Sequence, residues 1–218
     1  MTQLALDLLQ PPEPSLDNFV AGRNAEALDA ARRLARGALP ERIVYLWGQA
    51  GCGRTHLLCS LASVPHADWW TAAAPADAVG LSLVDDVHSL DSAAQIALFS
   101  RLNAVRGDAA CSCVIAGNAP PAALALREDL RTRVAWGYVY QLHLLSDAEK
   151  ADALAGQAAT RGVKINADVI DWLLRTLPRD MRTLAAALDA LDAFALARKR
   201  ALTVPLAREW LLAGRADR

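Results

Sequence analysis

The stretch "RIVYLWGQAGCGRTHLLCSLAS" narrows the fold more than any other part of the chain. Its β-branched and aromatic run, ended by Gly48, reads as a strand, and "THLLCSLAS" reads as the helix that follows. Between them Gly48, Gly53 and Thr55 fall on the spacing G-x-x-x-x-G-K-[ST], with Arg54 standing where that pattern has lysine. A glycine loop in this setting turns backbone N–H groups toward a helix N-terminus, where the dipole favours phosphate oxygens. The bland alternative is a glycine turn before an ordinary helix.

A second feature lies downstream. "LSLVDDV" sets Asp85 and Asp86 at the carboxyl edge of another buried strand, the edge at which open α/β sheets bind ligands. Thr55 would then give its hydroxyl to Mg²⁺, Asp85 would hold that ion through water, and Asp86 would orient or activate an attacking water. Two adjacent acids would also suit a solvated turn.

Strand and helix patterns alternate around these motifs. Ala27, Leu28, Ala31 and Leu34 recur at helical spacing, and "SAAQIALFSRLNAVRG" reads as a helix. "CSCVIAGNAPP" is a buried strand broken by its proline pair; "PAALALREDLRTRVA" reads as a helix and "YVYQLHLL" as a strand. Repeated units of this kind predict a parallel sheet sandwiched by helices. From Ser146 onward every segment is helix-like, with cap residues at the starts. The expected organisation is a tail at 1–10, an α/β unit at 11–145 and an all-helical unit at 146–218.

Composition excludes several classes. The net charge of −1 leaves no global positive field for a phosphate backbone, so direct DNA binding is expected to be weak or absent. Apolar runs are interrupted by Asp, Arg or His well short of the roughly 18 residues that span a bilayer, so no membrane partner is expected. Cys52, Cys59, Cys111 and Cys113 form no CxxC pair and no secretory leader is evident, which points to the cytoplasm. The scattered His56, His66, His88 and His143 supply no metal spacing or nucleophile partner.

The motifs, taken in order, resemble the nucleotide-binding module of the AAA+ P-loop NTPases, and within them the DnaA-related group that includes Hda. The stretches that carry the resemblance are "FVAGRNAEAL", "GQAGCGRTHLL", "LSLVDDVHSL", "VIAGNAPPAAL", "DLRTRVAWG", "LSDAEKADALAGQAATRGVKI" and "PRDMRTLAAALDALD", running from Phe19 nearly to the chain end. The resemblance implies an ADP or ATP site with Mg²⁺. Its contacts would be Gly48, Gly51, Gly53, Arg54, Thr55 and His56 in the loop, Phe19, Val20 and Gly22 around adenine, and Arg182 reaching the phosphates from a helical lid. Asn118 matches a position that holds the lytic water, and Arg133 matches an arginine finger offered to a neighbour's γ-phosphate. Arg131 is the competing finger, and pairing of Arg133 with Asp129 is the plain alternative.

Two features tilt the resemblance from DnaA toward Hda. The chain stops soon after the lid helices, without room for a helix-turn-helix reader of DNA. The tail "MTQLALDLL" is similar to a peptide that docks on the DNA sliding clamp, with Gln3 at a polar pocket edge and Leu4, Leu6 and Leu8 in an apolar groove. The implied function is a clamp-tethered negative regulator of replication initiation that triggers ATP hydrolysis in DnaA; a homodimer stays open. Other readings are a self-hydrolysing DnaA-like ATPase or loader, and a clamp-binding adaptor with a vestigial nucleotide site. Arg54 should crowd the γ-phosphate, so binding is expected to survive better than intrinsic hydrolysis. Residues 63–80 are short for the strand and helix that relatives carry there.

Overall fold

The computed structural model describes residues 13–216. Two compact units result, Pro14–Leu144 and a helical unit that begins at Leu145. Gln3, Leu4, Leu6 and Leu8 lie outside the described residues.

In the first unit, α1 (Ala25–Ala35) precedes β1 (Ile43–Gly48) and α2 (Arg54–Leu61); β2 (Ala67–Trp69), β3 (Gly80–Val84), α3 (Ser92–Gly107), β4 (Cys111–Gly117), α4 (Glu128–Val134) and β5 (Tyr138–Leu142) follow. The five strands are all parallel, in the order β2-β3-β4-β1-β5. Period-two alternation along β1 explains the layering. Val44 and Leu46 pack with Ala27, Leu28, Leu57, Leu58 and Leu61 of α1 and α2, while Ile43 and Tyr45 pack with Leu98, Leu102, Leu130 and Val134 of α3 and α4. A strand buried on both faces must be apolar throughout, which is what "IVYLW" supplies.

One segment follows the shortness read off the sequence, and another departs from the helix expected there. Between β2 and β3 there is no helix; residues 70–79 run through turns. Arg101 of α3 holds that loop, with Nε donating to Ser82 Oγ at 3.0 Å, Nη1 donating to the carbonyls of Ala76 (3.0 Å) and Ala78, and Nη2 to that of Gly80 at 3.3 Å. The guanidinium is almost fully buried and has no carboxylate partner among the described residues. The expected helix over 121–135 is present only from Glu128. Before it, a short 3₁₀ turn at Pro121–Ala123 and a bend at 125–126 leave Leu124 and Leu126 buried.

The helical unit contains α5 (Asp147–Thr160), α6 (Ala167–Thr176), α7 (Met181–Arg198) and α8 (Val204–Ala216). Ser146 and Glu149 form a reciprocal capping box at α5, and Asp180 accepts from Thr183 N at 2.8 Å to start α7. Leu184, Leu188, Leu191 and Ala195 form the buried stripe of α7 and meet Leu154, Leu173, Leu174 and Leu206. Arg161 pairs with Asp189, tying the end of α5 to α7. Among the described residues no helix is long and apolar enough to cross a membrane.

Candidate functional site

The loop between β1 and α2 is shaped by its glycines. Gly51 (φ +82°) and Gly53 (φ +100°) both adopt left-handed backbone, and Gly53 is the residue from which α2 springs. A side chain at Gly53 would also strike the Phe19 ring, 2.7 Å away. At Gly48 a Cβ would stand only 2.4 Å from the Leu142 carbonyl, so strand and loop meet with no room for one. Cys52, buried in the loop, has its thiol pushed up by desolvation, opposed by the backbone and charge of Arg54.

The acids of β3 come to this loop. Thr55 Oγ1 donates to Asp85 Oδ2 at 2.7 Å, so a hydroxyl and a carboxylate separated by 30 residues converge on one point. Asp86 takes a left-handed conformation rare for a non-glycine (φ 45°, ψ 49°) and lies 3.8 Å from Arg54 Nη1 and 4.0 Å from His88 Nδ1. Both of those nitrogens are buried without a hydrogen-bond partner. An orphaned guanidinium donor beside left-handed glycines, with a hydroxyl–carboxylate pair next to it, fits a nucleotide phosphate and Mg²⁺, which keeps most of its ligands as water. No group of three or more His, Cys, Asp or Glu among the described residues forms a cage for any other metal.

Asn118, exposed, follows β4, the strand that lies between β1 and β3. Its segment is pinned from beneath, because Tyr45 OH donates to the Ala119 carbonyl at 2.6 Å. Burial raises the Tyr45 hydroxyl well above its ordinary value and keeps it a donor. Loop, acids and Asn118 therefore share the carboxyl edge of three neighbouring strands.

The residues expected around adenine differ in exposure. Phe19 is buried in the core beneath Gly53, edge-on to His56 at 5.4 Å, and His56 Nε2 is 3.1 Å from the Ser15 carbonyl. Phe19 thus supports the loop from below. Val20 is half-buried and Gly22 exposed. Sequence reasoning missed Asn24, whose amide bonds both the carbonyl (2.9 Å) and the N–H (2.7 Å) of His143 and ties the start of α1 to the end of β5. An Asn opening an amphipathic helix suggests a cap, a role its side chain does not play. Arg182 is exposed on the first turn of α7, within the helical unit.

Arg133 is half-buried on α4 and is not paired with the Asp129 carboxylate. Its Nε donates to Asn103 Oδ1 at 2.9 Å and its Nη1 to the Asp129 carbonyl at 3.1 Å, while the guanidinium lies 3.8 Å from the Phe99 ring and 4.9 Å from the Trp136 ring. The Asp129 carboxylate is taken instead by Arg127, at 2.8 and 3.2 Å, and is held below its ordinary range by that contact. Arg131 is half-buried on the same helix, its backbone N–H donating to the Arg127 carbonyl at 3.0 Å.

Comparisons with known proteins give a family match within the helical unit and fold matches over most of the chain. Residues 147–211 match the family described as "Hda, lid domain". Among solved structures, domain III of the Thermotoga maritima replication initiation protein DnaA superposes with a TM-score of 0.71 at 20% identity, covering 94% of this chain and 98% of that one. AMPPCP-bound DnaA from Aquifex aeolicus gives 0.66 at 21% identity, covering 85% and 67%. A Thermotoga maritima RuvB variant gives 0.65 at 16% identity, covering 92% and 72%. At such identities the structural likeness establishes an AAA+ fold.

Proposed function

We propose, from the premise that this chain is an Hda-like, DnaA-related AAA+ protein, that it is a negative regulator of replication initiation, stimulating hydrolysis of the ATP held by DnaA. The observation that carries this reading is the Hda lid domain over residues 147–211. In this reading the first residues, through Gln3, Leu4, Leu6 and Leu8, dock on the DNA sliding clamp and concentrate the protein where initiators must be silenced.

The chain's own site is assigned to holding a nucleotide, with ADP as the working form. Gly48 to Thr55 would receive the phosphates, Arg54 would supply charge, and Thr55 with Asp85 would hold Mg²⁺, whose part is to neutralise phosphate charge. The AMPPCP complex of DnaA supports a nucleotide site on this fold. Asp86 and Asn118 are assigned to the water side of the site. Arg54 is 3.8 Å from Asp86, and that side-by-side placement favours binding over hydrolysis, because the wide fork occupies ground the lytic water needs.

Arg133 is the assigned finger. A guanidinium set against the γ-phosphate of a neighbour stabilises charge that develops as the phosphoryl group leaves, worth about 10³ to 10⁵ in rate in related systems. The test compares ATP loss by DnaA alone, with this protein, and with this protein plus clamp loaded on DNA. Stimulation should need the clamp, vanish in Arg133→Ala, and fall when Leu4 and Leu6 are both changed to Ala. Intrinsic hydrolysis at the speed of an AAA+ motor, without stimulation of DnaA, would instead establish a self-hydrolysing ATPase.

A further inference from the structure

Asn24 is almost fully buried where α1 begins, yet its side chain does not cap that helix. A short polar residue at a helix start ordinarily accepts from the first free N–H groups. Here the amide is given to a residue 119 positions away: Nδ2 donates to the His143 carbonyl at 2.9 Å, and Oδ1 accepts the His143 N–H at 2.7 Å. One planar amide bonded to both backbone groups of one residue reproduces the pairing that a neighbouring strand would make. The pairing of β5 with β1 ends at Leu142, and Asn24 takes over at the next residue.

Both segments joined in this way lie against the phosphate loop. Leu142 pairs with Gly48, its carbonyl standing where a Gly48 side chain would be, and Leu144 Cδ2 is 3.7 Å from the place a Cβ on Gly51 would take. From the other segment Phe19 closes on Gly53, and a turn follows in which Gly22 is left-handed (φ +47°) and Asn24 N donates to the Ala21 carbonyl at 2.7 Å. Residues 19–24 and 142–144 are thus two flanks of one loop, bonded to each other through Asn24. Each flank carries apolar surface that water reaches, Val20 half-buried on one and Leu144 exposed on the other. The flat face of a base is the part of a nucleotide that suits such surface.

Resting on the reading of this loop as a nucleotide site, we infer that Asn24 is a positioning residue for the nucleoside half of the ligand. Its amide fixes residues 19–24 against 142–144, so the flanks are set before the ligand arrives. The phosphate half is received by a loop anchored in β1 and α2, to which the Asn24 side chain makes no bond. Preorganisation shows as affinity, because a site that must be ordered on binding takes that cost from the ligand.

The test sets ADP against inorganic pyrophosphate, with the full chain and Mg²⁺ present. Asn24→Asp keeps shape and acceptor but removes the donor, leaving the His143 carbonyl facing a carboxylate. Asn24→Ser is too short for either bond and adds no charge. In both variants the Kd for ADP should rise at least about tenfold, while that for pyrophosphate, read by displacement of ADP, should stay within about threefold. Exchange of the His143 amide should quicken in Asn24→Ser. A merely structural Asn24 would lower the melting temperature of both variants and leave both dissociation constants, measured well below it, at parent values; that result overturns the inference. Equal weakening of ADP and pyrophosphate in Asn24→Ser overturns it too, because Asn24 would then support the phosphate loop itself. A parent that binds neither ligand refutes the nucleotide site beneath the inference, whereas a parent that binds both beside unchanged variants refutes only the role of Asn24. Should Asn24→Asp fail to fold, Asn24→Ser carries the same comparison.

Discussion

Arg54 is where the loop departs from its consensus, and its environment gives a prediction with two opposite signs. The side chain is only 12% exposed, and Nη1 is buried without an acceptor, 3.8 Å from the nearest carboxylate oxygen. Arg54→Met keeps the apolar stem and removes the charge. Without nucleotide, the substitution removes an unsatisfied buried donor and should leave the melting temperature level or higher. With nucleotide, it removes charge-assisted contacts to phosphate worth about 2 kcal/mol, which weakens ADP binding by about 30-fold. At a nucleotide concentration of 100 times the parent Kd, ligand stabilisation is about 2.7 kcal/mol in the parent and drops to about 0.9 kcal/mol in the variant. For a chain of this size, about 2–4 °C per kcal/mol converts these into shifts of about 5–11 °C and about 2–4 °C. Paired melts with and without Mg-ADP, backed by calorimetric titration, read both quantities. A ligand-free variant that melts far below the parent while keeping the full ADP shift would make Arg54 a structural residue and refute the reasoning.

Arg101→Met leaves Ser82 Oγ and the carbonyls of Ala76, Ala78 and Gly80 without their donor, and should cost about 3 kcal/mol, read as a lower denaturation midpoint and faster amide exchange over residues 76–82; a parent-like midpoint would refute the strut. Cys113 is fully buried and its thiol is pushed up to about 12, by desolvation first and against the opposing charge of Arg101. Because the folded value is raised, its contribution to stability is complete below about pH 9 and is lost as pH climbs toward 12. Urea midpoints between pH 8.5 and 10.5 (about the accessible range) should therefore fall more steeply for the parent than for Cys113→Val. Thiol reagents at neutral pH should reach the half-buried Cys59 before Cys113.

Much of the candidate site's geometry was legible because its signals are local. Gly48, Gly53 and Thr55 announce a backbone shape through residue type and spacing, and Asp85 and Asp86 announce a strand end. The convergence of Thr55 with Asp85 follows from the strand order, which alternating patterns suggest but do not dictate. The shortness of 63–80 was visible, yet β2 was not, since "ADW" is too brief and too polar to read as a strand and is placed by pairing with β3. The helix over 121–135 was over-extended because "PAALAL" has the composition of a helix start, whereas the chain makes a 3₁₀ turn and a bend before Glu128. The packing of Phe19 against Gly53 was not legible, because it joins residues 34 positions apart through the fold. Asn103 and Phe99 gave no signal at all, being ordinary residues of an amphipathic helix until Arg133 is folded against them.

Helix α3 shows why such residues escape a linear reading: its two sides do different jobs. Leu98, Arg101, Leu102 and Val105 face the sheet, and Arg101 in that row secures the loop that enters β3, whose far end carries Asp85 and Asp86. Phe99, Asn103 and Arg106, at i, i+4 and i+7, line the outer side and meet Arg133 and Trp136. One rigid element thus holds the strand whose far end carries the chain's own acids and meets the arginine assigned to a neighbour's nucleotide. The two sides are separable by substitution. Arg101→Met should impair stability and nucleotide retention together, whereas Asn103→Asp should leave both intact and affect only the rate induced in DnaA. If Asn103→Asp also weakened ADP binding, α3 would be transmitting strain between its faces, and the positioning of Arg133 would no longer be a local property of the outer one.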